Sequence, residues 1–150
     1  MTPGKNLNDL LEKNRIGDHM TTNILVGKEE FSMSHITRLF NELKIHHLPI
    51  VDDDNRVTGI ISANDLLRSF SMVLELGEVS LSEEFEAGGT VRDYITRNIE
   101  ICSPGDPIIT AIEKFDKGNF HALPVVENEV LVGIFTSRDL IRFISNQKQT

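Results

Sequence analysis

The sequence predicts a mixed α/β (α+β) protein: two copies of one βαββα half, related by a pseudo-twofold axis and packed through their sheets. Three observations carry this expectation. A self-similar pattern recurs at a nearly fixed separation. Within each copy, apolar residues recur first at helical spacing and then over short strand-length runs. Neither copy alone is large enough for a comfortable core, because a chain of about 60 residues buries only about 60% of its surface.

The repeat appears when Ile16-Gly-Asp-His-Met-Thr-Thr-Asn-Ile24 is placed over Val91-Arg-Asp-Tyr-Ile-Thr-Arg-Asn-Ile99. Asp18, Thr21, Asn23 and Ile24 then fall on Asp93, Thr96, Asn98 and Ile99. The same register puts Phe40 on Phe115 and His46-His-Leu-Pro-Ile-Val51 on His121-Ala-Leu-Pro-Val-Val126. After one deletion, Gly59-Ile-Ile-Ser-Ala-Asn-Asp-Leu-Leu-Arg68 lies on Gly133-Ile-Phe-Thr-Ser-Arg-Asp-Leu-Ile-Arg142. Agreement over most of each half makes chance a poor explanation.

Each copy has the same order of elements. A short strand is expected at Ile24–Val26 and at Ile99–Cys102. A helix follows near Ser32–Leu43, where Ile36, Leu39, Phe40 and Leu43 share a face, and near Pro107–Lys117, where Ile108, Ala111, Ile112 and Phe115 do. Asp106 reads as the N-cap of the second of these helices, with Pro107 at its first position. Two apolar strands come next, Leu48–Val51 with Val57–Ser62 and Leu123–Val126 with Val130–Thr136, joined by polar turns that predict hairpins. A last helix closes each copy near Ala63–Val73 and Ser137–Ser145, and Leu7–Asn14 adds a short leading helix. The expected organisation is a leading segment over 1–15, a first repeat over 16–73, an acidic, glycine-ended linker over 74–90, a second repeat over 91–146 and a tail over 147–150.

Composition narrows the function. The chain is 39% hydrophobic and 25% charged, as globular proteins are, and no apolar run approaches the roughly 20 residues of a membrane span. A formal charge of −8 disfavours nucleic acid and anionic membrane as partners. The start lacks the apolar stretch of a signal peptide, and the single Cys102 has no internal disulfide partner, so a cytoplasmic protein is expected. Catalytic signatures are missing: there is no Gly-x-Ser-x-Gly, no phosphate-binding glycine loop and no metalloprotease helix. Cys102 falls on an expected strand, not at a helix start that would activate it. No catalytic residue, catalytic cofactor or metal site is therefore expected.

Ser62-Ala-Asn-Asp65 and Thr136-Ser-Arg-Asp139 each place a hydroxyl residue three positions before a carboxylate at a helix start. For capping alone this pattern is common, since the two side chains satisfy each other's backbone N–H. The same Asp offers two oxygens to two adjacent hydroxyls of a sugar, and the helix start favours phosphate.

Together, the Leu-Pro-Ile-Val and Leu-Pro-Val-Val strands and the Gly-Ile-Ile-Ser-Ala-Asn-Asp and Gly-Ile-Phe-Thr-Ser-Arg-Asp segments resemble a tandem pair of CBS domains, a Bateman module. The likeness covers Ile16–Phe70 and Val91–Ser145. It implies a regulatory module that senses adenosine-containing ligands, AMP, ADP or ATP with or without Mg, in the cleft between the repeats, and that works as a homodimer on a regulated protein. The alternative is a dimerising scaffold that binds no nucleotide. By this resemblance Asp65 and Asp139 hold the ribose, with Ser62, Asn64, Thr136, Ser137 and Arg138 beside the ribose–phosphate. His46, His47, His121 and Ala122, before the Pro49 and Pro124 strands, stand where related proteins contact phosphate through a His-Arg pair that this chain lacks. Ile24, Leu25, Ile99 and Ile101 would line the base pocket.

Two further expectations follow. Arg138 stands where the first repeat has Asn64, so the Asp139 site should bind a phosphorylated nucleotide more tightly, unless Glu100 points inward. Ile36, Phe40, Leu66, Phe70, Ile112, Ile141 and Phe143 exceed what one pair can hide and are candidates for a dimer interface.

Overall fold

The structure, a computed structural model, describes residues 6–68, 89–118 and 120–147. The chain forms two compact units, and their boundaries cut across the sequence repeat. One unit joins the chain up to Ile24 to everything from Glu100 onward; the other runs continuously from Leu25 to Ile99. We call them the split unit and the continuous unit. The leading segment of each repeat therefore serves the body of the other.

In the continuous unit, α1 is Met33–Leu43, capped by the Ser32 hydroxyl, which accepts from the His35 N–H at 3.1 Å. It buries Met33, Ile36 and Phe40 on one face and ends at Lys44, whose φ of 54° turns the chain out of the helix. Strands β1 (His47–Val51) and β2 (Val57–Ser62) pair antiparallel across a polar turn in which Asp52 accepts from the Asp54 and Arg56 N–H groups. Helical residues 63–68 follow directly and are called α2. Residues 89–99 complete this unit: Val91 donates to the Phe31 carbonyl and Arg92 to that of Glu29, while Met33 donates to Gly89. Val91 joins Ile36, Leu48, Ile50, Ile61 and Leu66 in the core. Arg97 adds an ion pair to Glu29.

The split unit repeats the scheme with α3 (Ile108–Lys117), β3 (Ala122–Glu127), β4 (Val130–Thr136) and α4 (Ser137–Gln147). The closing segment here is 14–18: Ile16 donates to the Asp106 carbonyl, Gly17 to that of Pro104, and Ile108 to Asn14. A leading helix, α0 (Leu7–Lys13), adds Leu11 to a core of Ile16, Ile108, Leu123, Val125, Phe135 and Phe143. Both hairpins carry a register irregularity at the same place, after Ile50 and after Val125.

Several expectations need correction. Ile24–Val26 and Ile99–Cys102 are not strands; each segment touches its sheet through a single parallel bridge, Gly27 to Ile50 and Cys102 to Val125. The cause lies in the Leu-Pro motif. Gly27 donates to the Pro49 carbonyl and accepts from Val51, but the next pair upstream would need an N–H from Pro49, which proline lacks. Pro124 ends the bridge at Cys102 in the same way. Asp106 does not cap α3. Pro107 holds the cap position in extended conformation, and the Asp106 carboxylate instead accepts from the Ser103 N–H at 2.9 Å. Gly89 and Thr90, assigned to the linker, bond to Met33 and bridge Ser32. Of the interface candidates, Ile36, Phe40, Leu66 and Phe143 are buried within their own units, where their helical stripes face their own cores, and Ile112 packs against the split unit's core. Ile141 is exposed, and Phe70 lies outside the described residues. So do residues 69–73, where the expected last helix of repeat one would end, and most of the expected linker.

Candidate functional site

Both Ser/Thr-x-x-Asp motifs form complete capping boxes at the junction of a strand with a helix. In the continuous unit, Asp65 Oδ2 accepts from the Ser62 N–H at 2.8 Å and from its hydroxyl at 3.0 Å, while the Asp65 N–H donates back to Ser62 Oγ at 3.2 Å. In the split unit, Asp139 Oδ2 accepts from the Thr136 N–H at 2.9 Å and hydroxyl at 3.1 Å, and the Asp139 N–H donates to Thr136 Oγ1 at 3.2 Å. The two carboxylates are the buried polar residues of the described chain, at 8% and 4% exposure. Burial of a carboxylate is tolerated only when its oxygens are hydrogen-bonded, and both are.

The second oxygens differ. Asp65 Oδ1 accepts from Arg68, three residues on in α2. Asp139 Oδ1 accepts from the Thr21 hydroxyl at 3.0 Å, with Arg142 farther off at 3.4 Å. Thr21 is brought there by a backbone bridge: its N–H and carbonyl exchange hydrogen bonds with Ile134, both at 2.9 Å. Thr96 makes the matching exchange with Ile60, at 3.1 Å each, but is exposed, and its hydroxyl makes no hydrogen bond to Asp65. The motif glycines make these approaches feasible. A Cβ on Gly59 would stand 2.6 Å from the Thr96 carbonyl and against Ile95; one on Gly133 would stand 3.0 Å from the Thr21 carbonyl and 2.6 Å from the Met20 sulfur.

Backbone bonds tie the histidine positions to the same corner. The His46 carbonyl accepts from the Ala63 N–H and the His121 carbonyl from the Ser137 N–H, both at 2.9 Å. A twice-built corner of histidine backbone, hydroxyl and buried carboxylate at a helix start suits a ligand with hydroxyls and an anionic group.

The CBS domain family matches residues 16–71 and again residues 91–146. The chain belongs to the CBS domain family. An uncharacterized Methanocaldococcus jannaschii protein, MJ1426, is 32% identical, the match covering 78% of this chain and 83% of that protein. Homoserine O-acetyltransferase of Methanohalobium evestigatum is 27% identical over 92% of this chain, which spans only 26% of that enzyme. Among solved structures, the CBS protein CBSX2 of Arabidopsis thaliana in complex with AMP is 27% identical with a TM-score of 0.76, covering 90% of this chain and 98% of the other.

On the CBS repeats, the residues anticipated as a ligand site fall into two groups by unit. Ser62, Asn64, Asp65, His46 and His47 share the corner of the continuous unit, where His47 pairs with Ser62 across the hairpin. Thr136, Ser137, Arg138, Asp139, His121 and Ala122 share that of the split unit, where Ala122 pairs with Thr136. Asn64, Arg138, His46 and His121 are exposed. Pro49 and Pro124 are buried; their carbonyls accept from Gly27 and Cys102 and they offer little surface to a ligand. Ile24 belongs to the split unit and Leu25 to the continuous one, while Ile99 is in the continuous unit and Ile101 in the split one. Leu25 and Ile101 are exposed; Ile24 and Ile99 are half-buried. Glu100 is drawn to Lys114 at 3.4 Å. Thr21, Arg68 and Arg142 complete the corners and had not been singled out, although Thr21 aligned with Thr96 and Arg68 with Arg142 in the repeat.

Proposed function

We propose that this CBS pair is a regulatory module, not an enzyme, that binds an adenosine-containing nucleotide, AMP, ADP or ATP, at the Asp65 and Asp139 corners and thereby alters dimer shape or partner affinity. The observation that carries this reading is the same buried carboxylate corner built twice, in a chain with a 27%-identical structural relative that holds AMP. The carboxylate oxygens suit a ribose diol, and the helix start beside them suits phosphate. Acetyltransferase chemistry is not carried over from relatives of which this chain spans about a quarter. Arg138 favours the Asp139 site for phosphorylated ligands: a charge-assisted contact of this kind contributes about 1.5–3 kcal/mol, roughly ten- to a hundredfold in affinity. Glu100, paired with Lys114, does not oppose it. Among the described residues no helix is long and apolar enough to cross a membrane, and we place the protein in the cytoplasm.

A thermal-shift titration tests the reading. AMP at a hundred times its dissociation constant stabilises the fold by about 2.7 kcal/mol. If AMP, ADP and ATP at millimolar concentration leave the melting temperature unmoved, the chain is a scaffold instead. Leu67 and Ile141 occupy equivalent positions of α2 and α4 and are 60% and 66% exposed, which supports a homodimer in either case. Light scattering at the 16.9 kDa monomer mass at micromolar concentration would overturn the dimer.

A further inference from the structure

We infer that Thr21 is a latch that a ribose must open, so that occupancy of the Asp139 corner is coupled to the leading segment of the opposite repeat. The inference rests on the nucleotide reading above and goes beyond it by naming what the ligand displaces.

An ionised carboxylate has about four lone-pair positions. All four are taken at Asp139: Oδ2 by the Thr136 N–H and hydroxyl, Oδ1 by the Thr21 hydroxyl and by Arg142. The Thr136 bonds are part of the helix cap, and the Arg142 contact at 3.4 Å is the weakest of the set. Thr21 is different. It is not part of the cap, it arrives from 118 residues away in sequence, and it presents an sp³ hydroxyl to the oxygen, the same group a sugar would present. A vicinal diol brings two hydroxyls, and with both Oδ2 positions locked in the cap it must take both positions on Oδ1: the weak Arg142 contact yields one and the Thr21 hydroxyl the other. The bond it breaks is made to a buried carboxylate at 4% exposure, where hydrogen bonds to charged groups count most. The backbone exchange between Thr21 and Ile134 survives the swap, so the segment stays attached while its side chain turns away.

The test is calorimetry of AMP and of 2′-deoxy-AMP on the full chain and on Thr21→Val, which keeps the side-chain shape without the hydroxyl. Thr21→Val is expected to bind AMP about tenfold more tightly than the unaltered chain, with no gain for 2′-deoxy-AMP, which lacks the diol. Thr21→Ser, which restores the hydroxyl, returns to the original affinity. Equal or weaker AMP binding by Thr21→Val, or an equal gain for both ligands, overturns the latch while leaving the nucleotide reading intact. If neither protein binds AMP, the nucleotide reading itself fails and the latch with it. Should Thr21→Val not fold, the methyl carbon resonance of Thr21 in the unaltered chain decides. It shifts on AMP addition and not on 2′-deoxy-AMP if the latch opens; a resonance unmoved at AMP saturation overturns it.

Discussion

The two carboxylate corners share a cap and differ in reach. At Asp65 the cap is joined by an arginine of its own helix. At Asp139 the matching arginine stands back and a threonine from the far end of the chain takes its place. The same Ser/Thr-x-x-Asp spacing therefore yields one corner joined by an arginine of its own helix and one joined by a threonine 118 residues away. The local part follows from helix-start geometry, which spacing alone dictates. The long-range part depends on which leading segment is delivered and what its side chain carries.

Truncating the carboxylates should break the comparison most forcefully. Asp139→Ala strands the Thr136 N–H, Thr136 hydroxyl and Thr21 hydroxyl at a buried site and is expected to cost about 3 kcal/mol; Asp65→Ala, whose Arg68 partner reaches water, about 2 kcal/mol. Urea unfolding measures both, and equal losses would show that the Thr21 bond contributes nothing. The glycines come next, with the order of the units reversed. An alanine at Gly59 meets Ile95 and a backbone carbonyl at 2.6 Å, whereas at Gly133 it meets the flexible Met20 and a carbonyl at 3.0 Å. Gly59→Ala is expected to cost about 3 kcal/mol and Gly133→Ala about 1 kcal/mol, read by the same unfolding curves. The mildest probe alters nothing. Burial pushes the Cys102 thiol up to about 12, with the nearby Asp106 charge adding to the rise. At pH 8 only about one molecule in ten thousand then carries a thiolate, so a thiol reagent should label the native protein far more slowly than the unfolded chain. The continuous unit has Gly27 at the equivalent position, so labelling reports opening of the split unit alone. Native labelling as fast as unfolded labelling would show that this unit does not hold its core closed.

Much of this was legible in the residues. Both hairpins, both first helices of the repeats, the leading helix and both capping boxes lie where apolar period, turn chemistry and spacing put them. Pro49 and Pro124 also carried a readable message that the expected first strands could not extend, because a ladder needs the N–H that proline lacks. Ile36, Phe40, Leu66 and Phe143 missed as interface candidates for a different reason. A helical stripe such as Ile36–Phe40 records that one face is buried without recording against what, and here it is the helix's own sheet. The exchange of leading segments had no local signature at all. Thr21 and Thr96 align as identical residues, yet only one reaches a carboxylate, since their surroundings are set by partners more than thirty residues distant.

The exchange also orders the birth of the molecule. The continuous unit has all its residues once Ile99 has left the ribosome, whereas the split unit holds α0, Ile16 and Met20 at one end and Phe135, Asp139 and Phe143 at the other. With synthesis at about 5–20 residues per second, roughly 2–10 s separate the emergence of Ile99 from that of Gln147. During that interval Leu11, Ile16 and Met20 lack the Phe135 and Phe143 side chains of their own core. Slowing translation after Ile99 is therefore expected to lengthen the wait of Leu11, Ile16 and Met20 for their partners, while every residue of the continuous unit has already been made.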